Sequence, residues 1–186
     1  PEALNNLGNV QAEMGQESAA TECYQKAREL KPDFVDALIN LGVQYQHADL
    51  LEQAADTFQQ AIASNPRHPE ALYHLGKTLL LLGDPEQSIT HLQQSLEQKP
   101  HFPEAYSELG KAYMEQSDYE QAVPCFKSAL TLNPDSPQAL RQLINIVQHH
   151  PQYDIESSEP QSLQEIMSLL KKLEPTSSRA HLSKAN

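Results

Sequence analysis

A repeat of 34 residues is the feature that most restricts how this chain can fold. The phrase Ala-Leu-Asn-Asn-Leu-Gly at residues 3–8 returns in similar form at 37–42, 71–76 and 105–110, and each closing glycine lies 34 residues after the last. Proline-ending dipeptides keep the same step at Lys31-Pro32, Asn65-Pro66, Lys99-Pro100 and Asn133-Pro134. A period of this size indicates one supersecondary unit that is stacked along the chain.

Each unit is predicted to contain two helices joined by a tight turn. Apolar residues fall at i, i+3 and i+7 in the first half of a unit, as at Leu38, Leu41 and Tyr45. Gly15 and Gly83 are typical left-handed C-caps of a first helix, and the repeated prolines end each second helix. Three candidate N-caps with a reciprocal partner open the second helices: Asp49 with Glu52, Asp84 with Gln87, and Ser117 with Glu120.

The repeat resembles the tetratricopeptide repeat of the bacterial type. Its signature residues stand in the second unit at Leu38, Leu41, Gly42, Tyr45, Ala54, Phe58, Ala61 and Pro66, and in the fourth at Tyr106, Leu109, Gly110, Tyr113, Ala122, Phe126, Ala129 and Pro134. The first unit departs at Gln11, and the third departs at Leu79, Ser88 and Ser95. The match covers residues 1–136. It implies an all-α fold, a right-handed superhelical α-solenoid of stacked antiparallel helix pairs.

The period also divides the chain. Four units are predicted at 1–34, 35–68, 69–102 and 103–136. Residues 137–175 are predicted to form a divergent fifth unit, because helical apolar spacing restarts at 137 and a second apolar stripe follows an expanded turn at 151–160. Residues 176–186 form a C-terminal tail or begin a further helix.

Composition excludes several classes of protein. The chain has a formal net charge of −12, so its surface repels phosphate backbones and we expect no nucleic-acid partner. No apolar run reaches the length that spans a bilayer, so we expect no membrane insertion. The chain begins with Pro1 and shows no targeting segment, so we expect a fragment of a longer protein, with the cytoplasm favoured.

We expect no enzyme active site, cofactor or metal. The string from Ala71 to Thr78 resembles a relaxed phosphate-binding loop, but it continues a helix and Gly76 is the repeat glycine. The eight histidines show no metal-ligand spacing. Cys23 and Cys125 occupy the same site three units apart, roughly 30 Å at about 10 Å per helix layer, too far for a disulfide bond.

In proteins that this sequence resembles, the first helix of each unit lines a concave groove. Carried onto this chain, the resemblance implies partner-binding residues at Asn5, Asn9, Ile39, Asn40, Val43, His47, Tyr73, His74, Lys77 and Lys111. Asparagine amides both donate to and accept from a peptide backbone. The apolar members suggest an amphipathic or extended peptide. For the neighbouring Leu80 and Leu81, packing between units is the competing interpretation.

We therefore predict a protein-protein interaction scaffold that binds a peptide or helical segment. The alternative is a substrate-docking arm of a larger enzyme, such as a glycosyltransferase or sulfotransferase, which the asparagine-rich first helices resemble. Chaperone C-terminal carboxylates are not expected as ligands, because Glu70 and His74 stand where relatives that bind such tails carry cations. A homodimer through the end helices is a further option.

Overall fold

The computed structural model describes residues 1–150, which form nine α-helices and no strand. Their bounds are Glu2–Glu13 (α1), Glu17–Leu30 (α2), Val35–His47 (α3), Leu51–Ser64 (α4), Pro69–Leu81 (α5), Pro85–Gln98 (α6), Pro103–Glu115 (α7), Tyr119–Leu132 (α8) and Pro137–His149 (α9). The predicted expanded turn at 151–160, the rest of the fifth unit and the tail at 176–186 lie outside the described residues.

The helices stack in chain order. Within residues 1–150 each helix packs against the next and, for the first helices, against the first helix of the following pair. Each of the pairs α1–α2, α3–α4, α5–α6 and α7–α8 falls inside one predicted 34-residue unit, although the unit boundaries themselves stay a prediction. The expected all-α solenoid of helix pairs is confirmed.

The repeat glycine marks the closest approach inside each pair. A Cβ added at Gly42 would lie 2.5 Å from Cε1 of Phe58, and one added at Gly110 would lie 2.7 Å from Cζ of Phe126. Alanines beside these rings, such as Ala54 and Ala61, are fully buried. Small residues therefore let the two backbones come together while one large side chain fills the remaining space.

The turn between paired helices is shifted by one residue from the sequence prediction. Asp49 and Ser117 were expected as N-caps, yet both have a φ of 59° and so occupy the left-handed position that Gly15 and Gly83 occupy in the other units. The N-caps that follow are Gln16, Leu50, Asp84 and Asp118. Capping is thus confirmed at Asp84 and wrong at Asp49 and Ser117.

The helices of the described range are short. They have 12 to 14 residues, and none is long and apolar enough to cross a membrane. Gly76 lies inside α5 and packs against Leu92, as expected for a repeat glycine that is not part of a phosphate loop. Both cysteines are free thiols, and residues 1–150 hold no cluster of three or more His, Cys, Asp or Glu placed for a metal ion.

Candidate functional site

The first helices bring the predicted groove residues onto one surface. Asn5 and Asn9 lie on α1, four predicted residues lie on α3, three on α5, and Lys111 on α7. These first helices contact one another in sequence, α1 with α3, α3 with α5, and α5 with α7. Residues that are 34 positions apart therefore become neighbours along this surface, which we call the groove.

At the N-terminal part of the groove, three asparagines form an amide cluster. Nδ2 of Asn40 donates hydrogen bonds to Oδ1 of Asn5 at 2.9 Å and to Oδ1 of Asn9 at 3.0 Å. The hydroxyl of Tyr24 donates to the same Asn9 oxygen at 2.8 Å. Asn5 is buried, with 5% of its surface exposed, so it braces the cluster from below. Oδ1 of Asn40 and Nδ2 of Asn9 are not used within the cluster.

Ile39 and Val43 belong to the packing between units. Ile39 is buried and Val43 packs against the same apolar cluster, which contains Phe58 and Leu75. For these two residues the structure favours the packing interpretation over ligand contact. His47 is exposed at the end of α3, and in α5 the side chain of Leu81 is exposed while Leu80 is half-buried.

Further along, Tyr73 and His74 form part of an aromatic wall. The ring of Tyr73 lies 4.8 Å from that of Phe102, and the ring of His74 stacks on Phe58 with centroids 5.3 Å apart. Burial lowers the pKa of His74 to about 4, with Lys77 and His47 adding to the effect against Glu70. Burial also raises the pKa of Tyr73. Both side chains are therefore neutral at physiological pH.

A cleft of about 430 Å³ opens beside this wall. It is lined by Tyr73, Lys77, Pro103, Glu104, Ser107, Glu108, Lys111, Asn133, Asp135, Ser136, Pro137 and Gln138. Nζ of Lys111 pairs with Glu108 at 2.8 Å. Lys77 has no carboxylate within ion-pair distance in the described part of the chain, so its ammonium is available in the cleft.

Sequence reasoning missed the rim of this cleft. Five lining residues, from Asn133 to Gln138, come from the loop between α8 and α9 and its helix start. The resemblance pointed only to first-helix positions, so this loop was not considered. The signal was available, because each proline-containing loop leads directly into the next first helix and must border its N-terminal end.

Comparisons with known proteins agree with this architecture. A family model described as tetratricopeptide repeat matches residues 1–34 and 103–136, and a second model of the same description matches residues 47–112. None of the curated proteins compared with this chain matches it.

Solved structures with similar folds cover most of the chain. PilF of Pseudomonas aeruginosa aligns with a TM-score of 0.79 at 21% identity, over 92% of this chain and 75% of that one. MamA of Desulfovibrio magneticus RS-1 aligns with a TM-score of 0.78 at 17% identity, over 94% and 97%. YrrB, described as a TPR protein with an unusual peptide-binding site, aligns with a TM-score of 0.71 at 19% identity, over 94% and 86%. At these identities the likeness extends to the fold alone.

Proposed function

The chain belongs to the tetratricopeptide repeat family, and on this premise we propose that it is a protein-interaction scaffold whose groove binds an extended peptide or a helical segment of a partner. The proposed lining keeps the ten residues named from the sequence, Asn5, Asn9, Ile39, Asn40, Val43, His47, Tyr73, His74, Lys77 and Lys111. Within it, Asn9, Asn40, Tyr73 and Lys77 are the residues with groups left to meet a ligand.

The cleft beside Tyr73 is the observation that carries this proposal. It is assembled by α5, α7 and the loop before α9, so it exists only because successive units stack. Its volume of about 430 Å³ falls in the usual range of ligand sites, about 300 to 1,000 Å³. A site built across units suits a ligand that is itself elongated, because each unit adds one contact zone along the groove.

The side chains of the cleft indicate a peptide of mixed polarity. The ring of Tyr73 offers an apolar surface, and Lys77 offers a cation for a backbone carbonyl or an acidic side chain. Glu104 and Asp135 on the rim disfavour a strongly acidic ligand. A chaperone carboxylate tail is a poor match as well, because Glu70 already pairs with Lys99 at 2.7 Å and His74 is uncharged.

Peptide selection tests the proposal directly. Peptides selected from a displayed random library against the chain should bind the double variant Lys77→Ala, Lys111→Ala at least tenfold more weakly, a loss of about 1–2 kcal/mol. The matched control removes two cations from the second helix α2, Lys26→Ala with Arg28→Ala, and should leave the affinity within twofold. Equal losses in both variants would mean that net charge, and not the groove, governs binding.

Tyr73→Ala with His74→Ala is the more disruptive version of the same test. It should weaken selected peptides by a similar amount if these rings contact the ligand. Because both rings pack on phenylalanines of neighbouring helices, the unfolding free energy of this variant must be measured beside the affinity. Unchanged affinity would remove both residues from the proposed lining.

The amide cluster favours a second candidate, the docking arm of a larger transferase. Asparagines from two successive first helices converge in it, and side-chain amides of this kind can hold a substrate peptide by its backbone. The reading frame of the parent gene distinguishes the candidates. A glycosyltransferase or sulfotransferase domain in the same polypeptide would favour the docking arm.

A further inference from the structure

The outer side of α1 carries an apolar stripe that the described residues leave uncovered. Ala3, Leu7, Val10 and Met14 follow one another at helical spacing, and the last three are 48%, 52% and 66% exposed. We call this stripe the end face. Scattered exposed apolar residues are ordinary on a protein surface, but a continuous stripe on one helix marks an interaction site.

The same positions are buried in every later unit. Leu7 corresponds to Leu41, Leu75 and Leu109, which are 0%, 1% and 5% exposed. Ala3 corresponds to the fully buried Ala37, Ala71, Ala105 and Ala139. The end face therefore has the composition of an internal seam, and α1 lacks the polar outer surface expected of a terminal capping helix.

The internal seams show what covers this face. Leu41 packs in one cluster with Ala20 and Tyr24 of α2. Leu75 packs in one cluster with Ala54, Phe58 and Ala61 of α4. In both cases the cover is a second helix that presents an aromatic residue between two alanines, four residues after the first and three before the second. The end face continues this established interface by one more step.

Charge and topology narrow the occupant. The α1 helix carries Glu2 and Glu13 and no lysine or arginine, so a helix with basic flanks complements it. The second helices α2, α4, α6 and α8 are each covered already by the following first helix, so the described part of a second copy has no free helix of this type to offer.

We propose that the end face binds an amphipathic helix of a partner protein, one that presents an aromatic residue between alanines at the spacing of Ala54, Phe58 and Ala61 and carries basic flanks. This site lies on the end of the solenoid and does not depend on the groove. It gives the scaffold two separate binding surfaces, a groove for one segment and an end for a helix.

A stapled helical peptide tests the proposal. The probe copies residues 51–64 with Glu52→Lys and Asp56→Lys, and its binding to the 186-residue chain is followed by fluorescence anisotropy. We expect saturable binding that weakens at least tenfold for the variant Leu7→Gln, Val10→Gln. The control Leu81→Gln, Leu82→Gln changes two comparably exposed leucines at the end of α5 and should leave binding within twofold.

Three further measurements keep the outcome decisive. A probe with Phe58→Ala should also bind at least tenfold more weakly, and amide resonance shifts should concentrate in α1. The groove variant Lys77→Ala, Lys111→Ala should bind the probe as the native chain does, which separates this site from the proposed function. Absence of binding, binding that survives the Leu7 and Val10 changes, or self-association of the chain that these changes abolish would each overturn the proposal, the last in favour of a second copy.

Discussion

At the scale of single residues, one close contact explains most of the repeated pattern. Each repeat glycine faces a large side chain of its paired helix, Tyr24, Phe58, Leu92 or Phe126. The backbone could not approach so closely with a Cβ in place. Glycine and the flanking alanines are therefore needed for packing, and their recurrence every 34 residues follows from a contact that every unit repeats.

Gly42→Ala should destabilise the chain by about 1–3 kcal/mol, the usual cost of overpacking a core. The added methyl would lie 2.5 Å from Cε1 of Phe58, which is fully buried and so has little room to move. Urea unfolding followed by circular dichroism measures the loss.

A second glycine variant separates crowding from backbone strain. Gly83 has a φ of 83° and nothing within 4 Å of an added Cβ. Gly83→Asp introduces the residue that Asp49 already supplies at the equivalent position, so it should cost no more than about 1 kcal/mol, the strain of a left-handed conformation. If both variants lose equal stability, the close-contact explanation is wrong.

The residue scale is also where sequence reasoning about the site reached its limit. The period correctly identified which positions share a surface, because equal spacing gives equal places in a stack. It did not reveal that Asn5 is buried beneath Asn40 or that Ile39 packs into a seam, because such differences depend on the neighbours of each residue. Those neighbours differ between units even where the repeated positions agree.

At the scale of elements, the helices were predictable and their turns only partly so. Helical spacing, prolines and glycines located every helix of the described range. The N-cap signature matched one residue too early at Asp49 and Ser117, because the chain first needs a left-handed residue to end the preceding helix. Gly15 and Gly83 carried that information, since 49 and 117 lie one period after them.

This turn geometry predicts a stabilising substitution. Leu50 is the N-cap of α4, makes no capping hydrogen bond, and is 42% exposed. At the equivalent position Asp84 accepts a hydrogen bond from the backbone N–H of Gln87 at 3.0 Å. Leu50→Asp should therefore stabilise the chain by about 1 kcal/mol, through the new cap and its charge at the helix N-terminus.

The capping explanation has its own control. Leu50→Ala removes the exposed side chain without adding an acceptor, so it should bring no comparable gain in urea unfolding. Gln53 already stands three residues after Leu50, which completes the pattern found at Asp84 and Gln87. A gain in the alanine variant equal to that in the aspartate variant would assign the effect to the loss of leucine.

At the scale of the whole molecule, stability is shared between neighbours. Contacts in the described residues join a helix to the next one or to the next first helix, and none joins distant units. Stability in such a stack is the sum of the stability of each pair and of each seam. A pair in the middle is held by two seams, whereas the pair α1–α2 is held by one, through α3.

Hydrogen exchange should therefore be graded along the solenoid. Amides of α1 should exchange at least tenfold faster than those of α5, because opening the end pair breaks one seam while opening α5 and α6 breaks two, and a tenfold difference corresponds to about 1.4 kcal/mol. Mass spectrometry of deuterium uptake at neutral pH resolves the two helices. Occupation of the end face by the stapled helix should slow exchange in α1 and leave α5 unchanged, since the bound helix supplies the missing seam. Equal exchange in α1 and α5 would show that residues 1–150 open as one cooperative body, and the nearest-neighbour account would then fail.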